Sequence, residues 1–241
     1  MARSRARTAV ARGRRRARSY LLLARISNLP TVWTNVLAAV VIAGAPVAAT
    51  MPALVAVSLF YMGGMFLNDA FDAGFDARVR ADRPVPAGDV SRAEAFVVGG
   101  ALIAAGQGLL LWAPQARPAM AWGLALAAAI TFYDFKHKGQ PFGPVVMGLC
   151  RALVYAVAAA GAVGAVPLAV VIAAVMMWSY VIALTWVAKN AGLGYAVPWM
   201  LAGICLVDAA MLAVVGEPML ALFAAAGFPA TLALQRVVPG T

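Results

Sequence analysis

Long apolar runs alternate with short polar or Pro- and Gly-containing connections along most of the chain. The runs are about 16–22 residues long, close to the roughly 20 residues that a helix needs to cross a bilayer. No period-two alternation rises above this pattern, so a transmembrane barrel is disfavoured. The pattern therefore predicts eight membrane-spanning helices. The corresponding segments are 28–49, 52–68, 95–113, 118–133, 143–162, 165–186, 196–215 and 218–235.

Composition supports a membrane protein. Of the 241 residues, 64% are hydrophobic and 12% are charged, whereas soluble domains are about 45–50% apolar and about 25% charged. A water-soluble domain, a disordered chain, a coiled coil and a disulfide scaffold are therefore excluded as classes. The predicted fold class is all-α: a polytopic membrane helix bundle.

The net charge of +10 is concentrated at the N-terminus, where nine of the 19 basic residues lie within the first 25. Basic segments beside a first span hold that end in the cytoplasm and attract anionic lipid, so nucleic-acid binding is not expected. Residues 1–24 are interpreted as a basic cytoplasmic arm, and residues 25–241 as one membrane-embedded domain. A cleaved signal peptide is disfavoured because Arg25, Asn28 and Asn35 interrupt the first apolar run.

Loop charges predict the orientation of the spans. With the N-terminus inside, the inner connections carry most of the remaining Lys and Arg residues, and the outer ones carry only Arg117. This bias favours a multi-pass protein of the cell membrane with both termini cytoplasmic.

Five of the nine carboxylates fall between residues 69 and 89. Asp69, Asp72 and Asp76 are spaced i, i+3, i+7 and would share one helix face, with Asn68 beside it. Such carboxylates repel one another unless a cation is present, and Mg²⁺ prefers a few carboxylates together with water and phosphate oxygens. Arginines that follow, including Arg83, are suited to binding phosphate. The segment is interpreted as a metal–diphosphate site, with a solvated polar loop as the alternative.

The same segment resembles the first aspartate motif of the UbiA superfamily of intramembrane prenyltransferases. The resemblance covers about residues 20–165 and includes the first span and the loop after the fourth. The residues that carry it are Asn68-Asp69-x-x-Asp72-x-x-x-Asp76, Asp82-Arg83-Pro84-x-Pro86-x-Gly88, Arg25, Asn28, Pro30, Asn35, and the 131–140 segment with Tyr133, Lys136 and Gln140.

This resemblance implies about eight helices around a central cavity. It implies Mg²⁺-dependent transfer of an isoprenoid group from an allylic prenyl diphosphate to an aromatic or other small lipophilic acceptor within the membrane. No obligate protein partner is expected. Asp69, Asp72 and Asp76 would be catalytic. The metal ligands would be Asn68, Asp69, Asp72 and Asp76, and the substrate-binding residues would include Asn35, Asn68, Arg83 and Lys136.

The second aspartate motif of that family is missing, because no Asp or Glu occurs from Phe135 to Val207. Three hypotheses follow. One metal cluster suffices, with Lys189 and Asn190 contacting the diphosphate; or Asp134 contributes from its own loop; or the protein is a catalytically reduced homologue that binds or transports a prenylated lipid. An unrelated secondary transporter is disfavoured because the two halves show no internal symmetry.

Polar residues inside apolar segments are further candidates. Arg151 lies within the fifth span and should face the interior, where it would bind diphosphate or an anionic acceptor, or form a structural ion pair. Asp208 in the seventh span is interpreted as a group in a structural hydrogen bond or ion pair, or as lying in a segment drawn slightly wrong, with a functional role as the alternative. Cys150 and Cys205 are expected to be buried and to behave as small hydrophobic residues. A multi-histidine metal site is excluded because His137 is the only histidine.

Overall fold

The computed structural model describes the backbone of residues 2–136, 142–190 and 194–240, and the side chains of these residues except 2–12, 136, 189 and 190. Within these ranges the chain forms nine α-helices and no strand. The helices are α1 (Ala2–Ala24), α2 (Leu29–Ile42), α3 (Thr50–Val79), α4 (Arg92–Leu109), α5 (Ala116–Lys136), α6 (Gly143–Val163), α7 (Leu168–Asn190), α8 (Val197–Val214) and α9 (Pro218–Gln235).

The predicted all-α bundle is confirmed. Helices α3 to α9 each belong to a segment long and apolar enough to cross a membrane, and α2 with its preceding turn forms a shorter apolar helix, Ile26–Ile42. The first predicted segment extended too far, to residue 49. Helix α2 ends at Ile42 because Gly44 adopts a φ of +78° and an Ala45-Pro46 pair follows, so Val47–Ala49 leads into the next span instead.

Helix α3 is much longer than the predicted segment 52–68. Its 30 residues extend about 45 Å at 1.5 Å per residue, which exceeds a hydrocarbon core of about 30 Å. The last turns of the helix therefore continue past the apolar segment, and these turns carry the aspartate stripe.

Helix α2 lies at the centre of the bundle and contacts α3, α6, α8 and α9. Its residues 36–40 are buried, and they meet a buried Val- and Ala-rich stretch of α6 at 154–160. Small side chains allow neighbouring helices to approach closely in a membrane. Large apolar side chains on the outer helices, such as Ile172 and Phe223, remain exposed, as expected of surfaces that face lipid.

The basic N-terminal segment is helical, and its second half is fastened to the bundle. Ser19 Oγ donates to Asp89 at 3.0 Å, and Arg15 forms an ion pair with the same carboxylate at 2.7 Å. Arg16 and Tyr20 both bond to Glu94 at the start of α4. The helix ends at Ala24, and the next residue, Arg25, has a φ of 43° in the left-handed region.

Helices α3 and α4 pack with their backbones in close contact at a glycine pair. A Cβ added to Gly99 would lie 2.9 Å from the Gly63 carbonyl oxygen, whereas a Cβ on the adjacent Gly100 would meet nothing within 4 Å. The Gly63–Gly99 contact therefore requires the absence of a side chain.

We expect Gly99→Ala to destabilise the protein by about 1–3 kcal/mol, because the added methyl group overpacks a backbone contact. Gly100→Ala is the matched control on the same helix and should leave stability unchanged or slightly raised. Thermal unfolding of the two purified variants in one detergent would measure the difference. Equal melting temperatures for both variants would contradict this account of the α3–α4 contact.

Candidate metal and diphosphate site

One cavity of about 350 Å³ lies between α2, α3, α5, α6, α7 and α8 and has both polar and apolar walls. On α3 its lining extends from Val57 to Asp72, or about 22 Å along the helix axis. The apolar lining includes Phe60, Leu126, Val181, Leu201 and Ile204. The polar lining includes Arg25, Asn68, Asp72, Arg80, Arg83, Asp134 and Arg151.

The aspartate stripe lies on the last turns of α3, as the spacing predicts. Asn68, Asp69, Asp72 and Asp76 are each more than nine-tenths buried. Asn68 and Asp72, four residues apart, line the cavity directly. The structure therefore gathers these four oxygen-bearing side chains at one end of a membrane helix.

Two arginines compensate the stripe. Arg83 Nη1 lies 2.9 Å from Asp76 Oδ2 and 3.3 Å from Asp69 Oδ1, and Arg25 Nη2 lies 3.1 Å from the same Asp69 oxygen. Arg25 was not predicted as a site residue. The available signal was its charge at the start of an apolar segment, which has to be paired when it is buried.

The loop between α3 and α4 brings Arg83 back to the stripe. Its backbone turns on itself through bonds from Ala87 N to Arg83 O at 2.8 Å and from Asp89 N to Pro84 O at 3.0 Å. Gly88 adopts a φ of +77°, a conformation that glycine accepts at low cost. Pro84 and Val85 are buried beneath the loop, so the proline–glycine pattern serves to place one guanidinium.

Asp134 joins the site from the end of α5. Asn68 Nδ2 donates to Asp134 Oδ1 at 3.2 Å, and both side chains line the cavity. Asp134 Oδ2 is buried and has no hydrogen-bond partner among the described residues. The sequence singled out this residue but did not place it next to Asn68.

A second polar cluster backs the cavity. Arg151 donates to Asn35 Oδ1 at 2.9 Å and to Thr31 Oγ1 at 3.0 Å. Asn35 in turn donates to Asp208 Oδ2 at 2.8 Å, and the Tyr155 hydroxyl bonds to the other Asp208 oxygen.

This second cluster explains four polar residues in the apolar segments. Asp208 has the structural role that the sequence suggested, and Tyr155 was missed because a lone tyrosine in an apolar helix carries no pattern. Arg151 lines the cavity. Asn35 is fully buried and does not line the cavity, but it bonds to Arg151 from behind. Substrate contact by Asn35 stays a prediction, and the structure shows it orienting Arg151.

Three predicted substrate-binding side chains, Lys136, Lys189 and Asn190, lie outside the described side chains, as does His137. Helix α7, where the missing second motif would be, carries no carboxylate. The roles of Lys136, Lys189 and Asn190 stay predictions.

The donor set suits Mg²⁺, which takes oxygen ligands and is often held by one or two carboxylates plus water and phosphate. In the described part of the chain no three acidic, histidine or cysteine side chains converge into a complete metal cage. Asp72 and Asp134 nevertheless both line a cavity that also contains arginines. Asp134 Oδ2 is buried and has no hydrogen-bond partner among the described residues. Such a site is incomplete without a phosphate ligand.

The chain belongs to the UbiA prenyltransferase family, whose family model matches residues 27–238. The resemblance seen in the aspartate motif is therefore confirmed and extends well beyond residue 165. Membership in this family agrees with the multi-pass helical character of the fold.

Two curated relatives match about half of the chain. A digeranylgeranylglyceryl phosphate synthase of Methanopyrus kandleri is 34% identical over 128 residues, which are 52% of this chain and 45% of the relative. A 4-hydroxybenzoate octaprenyltransferase of a Polaromonas species is 33% identical over 112 residues, which are 46% of this chain and 38% of the relative. The matched region thus spans less than half the length of either relative.

Two solved structures share the fold at 15% sequence identity and a TM-score of 0.60. One is a digeranylgeranylglyceryl phosphate synthase, aligned over 92% of this chain and 88% of its own. The other is a UbiA homologue from Archaeoglobus fulgidus bound to GPP and Mg²⁺, aligned over 89% and 85%. At this identity the likeness establishes the fold alone.

We expect Asp208→Ala to lower the free energy of unfolding by roughly 3 kcal/mol, because it leaves Asn35 and Tyr155 with buried polar groups unpaired. Glu217→Ala removes an exposed carboxylate and is the control, with an effect within about 0.5 kcal/mol. Unfolding in detergent monitored by tryptophan fluorescence would test this. If the two variants are equally stable, the cluster does not contribute to stability as described.

Proposed function

We propose that this protein transfers an isoprenoid group from an allylic prenyl diphosphate to an aromatic or other small lipophilic acceptor within the membrane, in an Mg²⁺-dependent reaction. The observation that carries the proposal is the cavity itself. It joins a carboxylate- and arginine-lined region to a long apolar region along α3. A molecule with a charged head and an apolar tail matches both regions.

Relatives and structural neighbours support this class of reaction. The two matched relatives are named for different reactions. One is a digeranylgeranylglyceryl phosphate synthase, and the other is a 4-hydroxybenzoate octaprenyltransferase. A structural neighbour binds GPP and Mg²⁺. Because these acceptors differ, an acceptor is proposed here only by class, as a small lipophilic molecule.

The residues of α3 would hold the metal: Asn68, Asp69, Asp72 and Asp76. When bound, Mg²⁺ supplies positive charge for the departing diphosphate. Arg83 and Arg25 already lie on the stripe and would add charge-assisted hydrogen bonds to the phosphate oxygens. Electrostatic stabilisation of this kind is usually the largest contribution to catalysis.

The apolar lining would hold the tail and exclude water. In the proposed reaction the allylic carbon–oxygen bond breaks, and its electron pair leaves with the diphosphate. The acceptor then forms the new bond to carbon and releases a proton. Phe60, Leu126 and Val181 offer no nucleophile, which would protect the electron-deficient allylic group from capture by the protein.

We also propose the orientation and domain division that the charges favour. Residues 1–24 would lie on the cytoplasmic side, residues 25–241 would form one prenyltransferase domain, and both termini would face the cytoplasm of a cell membrane. The support is the excess of Arg and Lys in alternate connections. The aspartate stripe would then open toward the cytoplasm, where soluble diphosphates and Mg²⁺ are available.

A catalytically reduced homologue that binds or transports a prenylated lipid is the second candidate. The absence of any carboxylate from Phe135 to Val207 favours it, because a carboxylate cluster on α7 cannot form. This candidate shares the cavity and the metal ligands but predicts binding without release of diphosphate.

Diphosphate release from geranyl, farnesyl and geranylgeranyl diphosphate, with and without Mg²⁺ and with a panel of acceptors, tests the proposal. We expect Asp69→Asn and Asp72→Asn to lower release by about 100-fold or more, since each removes a charge used in the transition state. Glu217→Gln removes an exposed carboxylate that does not line the cavity, so this control variant should retain full activity.

Two outcomes would contradict the proposed prenyltransferase activity. Unchanged release in both aspartate variants would show that the stripe is not catalytic. Tight Mg²⁺-dependent binding of all three diphosphates by the unmodified protein, without release for any acceptor, would favour the lipid-binding candidate instead.

A further inference from the structure

A metal site built only from α3 lacks a carboxylate from the opposite wall. Helix α7 cannot provide one, since it contains no acid. Another helix of this chain would have to supply the missing ligand. Such a ligand rests on the proposed function, because it would bind the same cation and diphosphate.

Asp134 is the one carboxylate outside α3 that lines the cavity, within the part of the chain that the structure describes. It comes from the end of α5, and its exposed fraction is 4%. Asn68 Nδ2 holds one of its oxygens at 3.2 Å. Asp134 is therefore fixed beside a residue of the aspartate stripe by a contact between two different helices.

The other oxygen, Oδ2, is buried without a hydrogen-bond partner. No described arginine or lysine forms an ion pair with Asp134, although arginines pair with Asp69, Asp76, Asp89 and Glu94. A buried carboxylate oxygen without a partner is costly.

A divalent cation in the cavity would give Asp134 Oδ2 the partner that it lacks. It would bond to Oδ2, while the Asn68 amide keeps Oδ1 in place. Bound Mg²⁺ would then face carboxylates from two helices, with Asp72 on α3 and Asp134 on α5 lining the same cavity. Two carboxylates with water and phosphate oxygens are a typical set of Mg²⁺ ligands.

We propose that Asp134 is a metal ligand of this protein and replaces, from α5, the carboxylates that α7 lacks. The metal–diphosphate complex would be held between α3 and α5. Asn68 would serve both walls, as a member of the stripe and as the hydrogen-bond donor that positions Asp134.

Binding of Mn²⁺, a spectroscopic substitute for Mg²⁺, tests the proposal independently of turnover. The free Mn²⁺ signal in electron paramagnetic resonance is titrated against the purified full-length protein in detergent with inorganic pyrophosphate. We expect Asp134→Asn to weaken Mn²⁺ binding about tenfold or more, since loss of even an outer-shell partner has effects of that size. The asparagine can still bond to Asn68, so the change removes mainly the charge. Glu217→Gln is the charge-matched control and should bind as the unmodified protein does.

A change of metal preference distinguishes a ligand from a residue that acts through Asn68. Asp134→Cys replaces a hard oxygen by a soft thiolate, which favours Cd²⁺ over Mn²⁺. We expect this variant to lose Mn²⁺ affinity and to gain Cd²⁺ affinity over the unmodified protein, whose cavity already contains Cys150. A variant that loses Mn²⁺ without any gain in Cd²⁺ would overturn direct ligation.

The failure of this inference differs from failure of the proposed function. If Asp72→Asn abolishes Mn²⁺ binding while Asp134→Asn binds normally, Asp134 is not a ligand and the proposed function stands. If the unmodified protein binds no Mn²⁺ with pyrophosphate, both fail. Parallel losses in Asp72→Asn and Asp134→Asn, with thermal stability retained, support the ligand set.

Discussion

Carboxylates that share one helix face in a low-dielectric interior repel one another strongly, because little solvent screens their charges. Much of the site compensates this repulsion at the end of α3. Arg25 reaches it from the turn before α2, and Arg83 reaches it from the loop after α3. The loop backbone, its buried proline and the positive φ at Gly88 all serve to direct Arg83 inward. The proposed cation would add to this compensation at Asp134, with which no described arginine forms an ion pair.

The second polar cluster obeys the same constraint in a different way. Asp208 is fully buried and is satisfied by the side chains of Asn35 and Tyr155. The amide oxygen of Asn35 in turn accepts a hydrogen bond from Arg151 and holds that side chain at the cavity wall. Helix α2 links the two polar regions, since it lies at the centre of the bundle. In the proposed function the first region would bind the charge of a ligand, whereas the second holds the guanidinium of Arg151 in place.

The helices and the aspartate stripe could be predicted from the sequence because both depend on local spacing. Apolar length gave the spans, and the i, i+3, i+7 pattern gave the shared face of α3. Partners distant in sequence could not be predicted in this way. Asn68 and Asp134 are 66 positions apart, and nothing in either segment indicates that they meet. The depth of Asn35 behind Arg151 likewise depends on how α2 and α6 pack, which periodicity does not encode.

The attachment of α1 has a consequence for the order of assembly during synthesis. Ser19 and Tyr20 bond to acids that lie 70 and 74 positions later in the chain. The residues of the basic helix are therefore synthesised before their partners. The helix can dock only after α3 has inserted and the following loop has returned to the same side of the bilayer. Docking of α1 therefore requires that α3 and the loop after it have the correct orientation in the membrane.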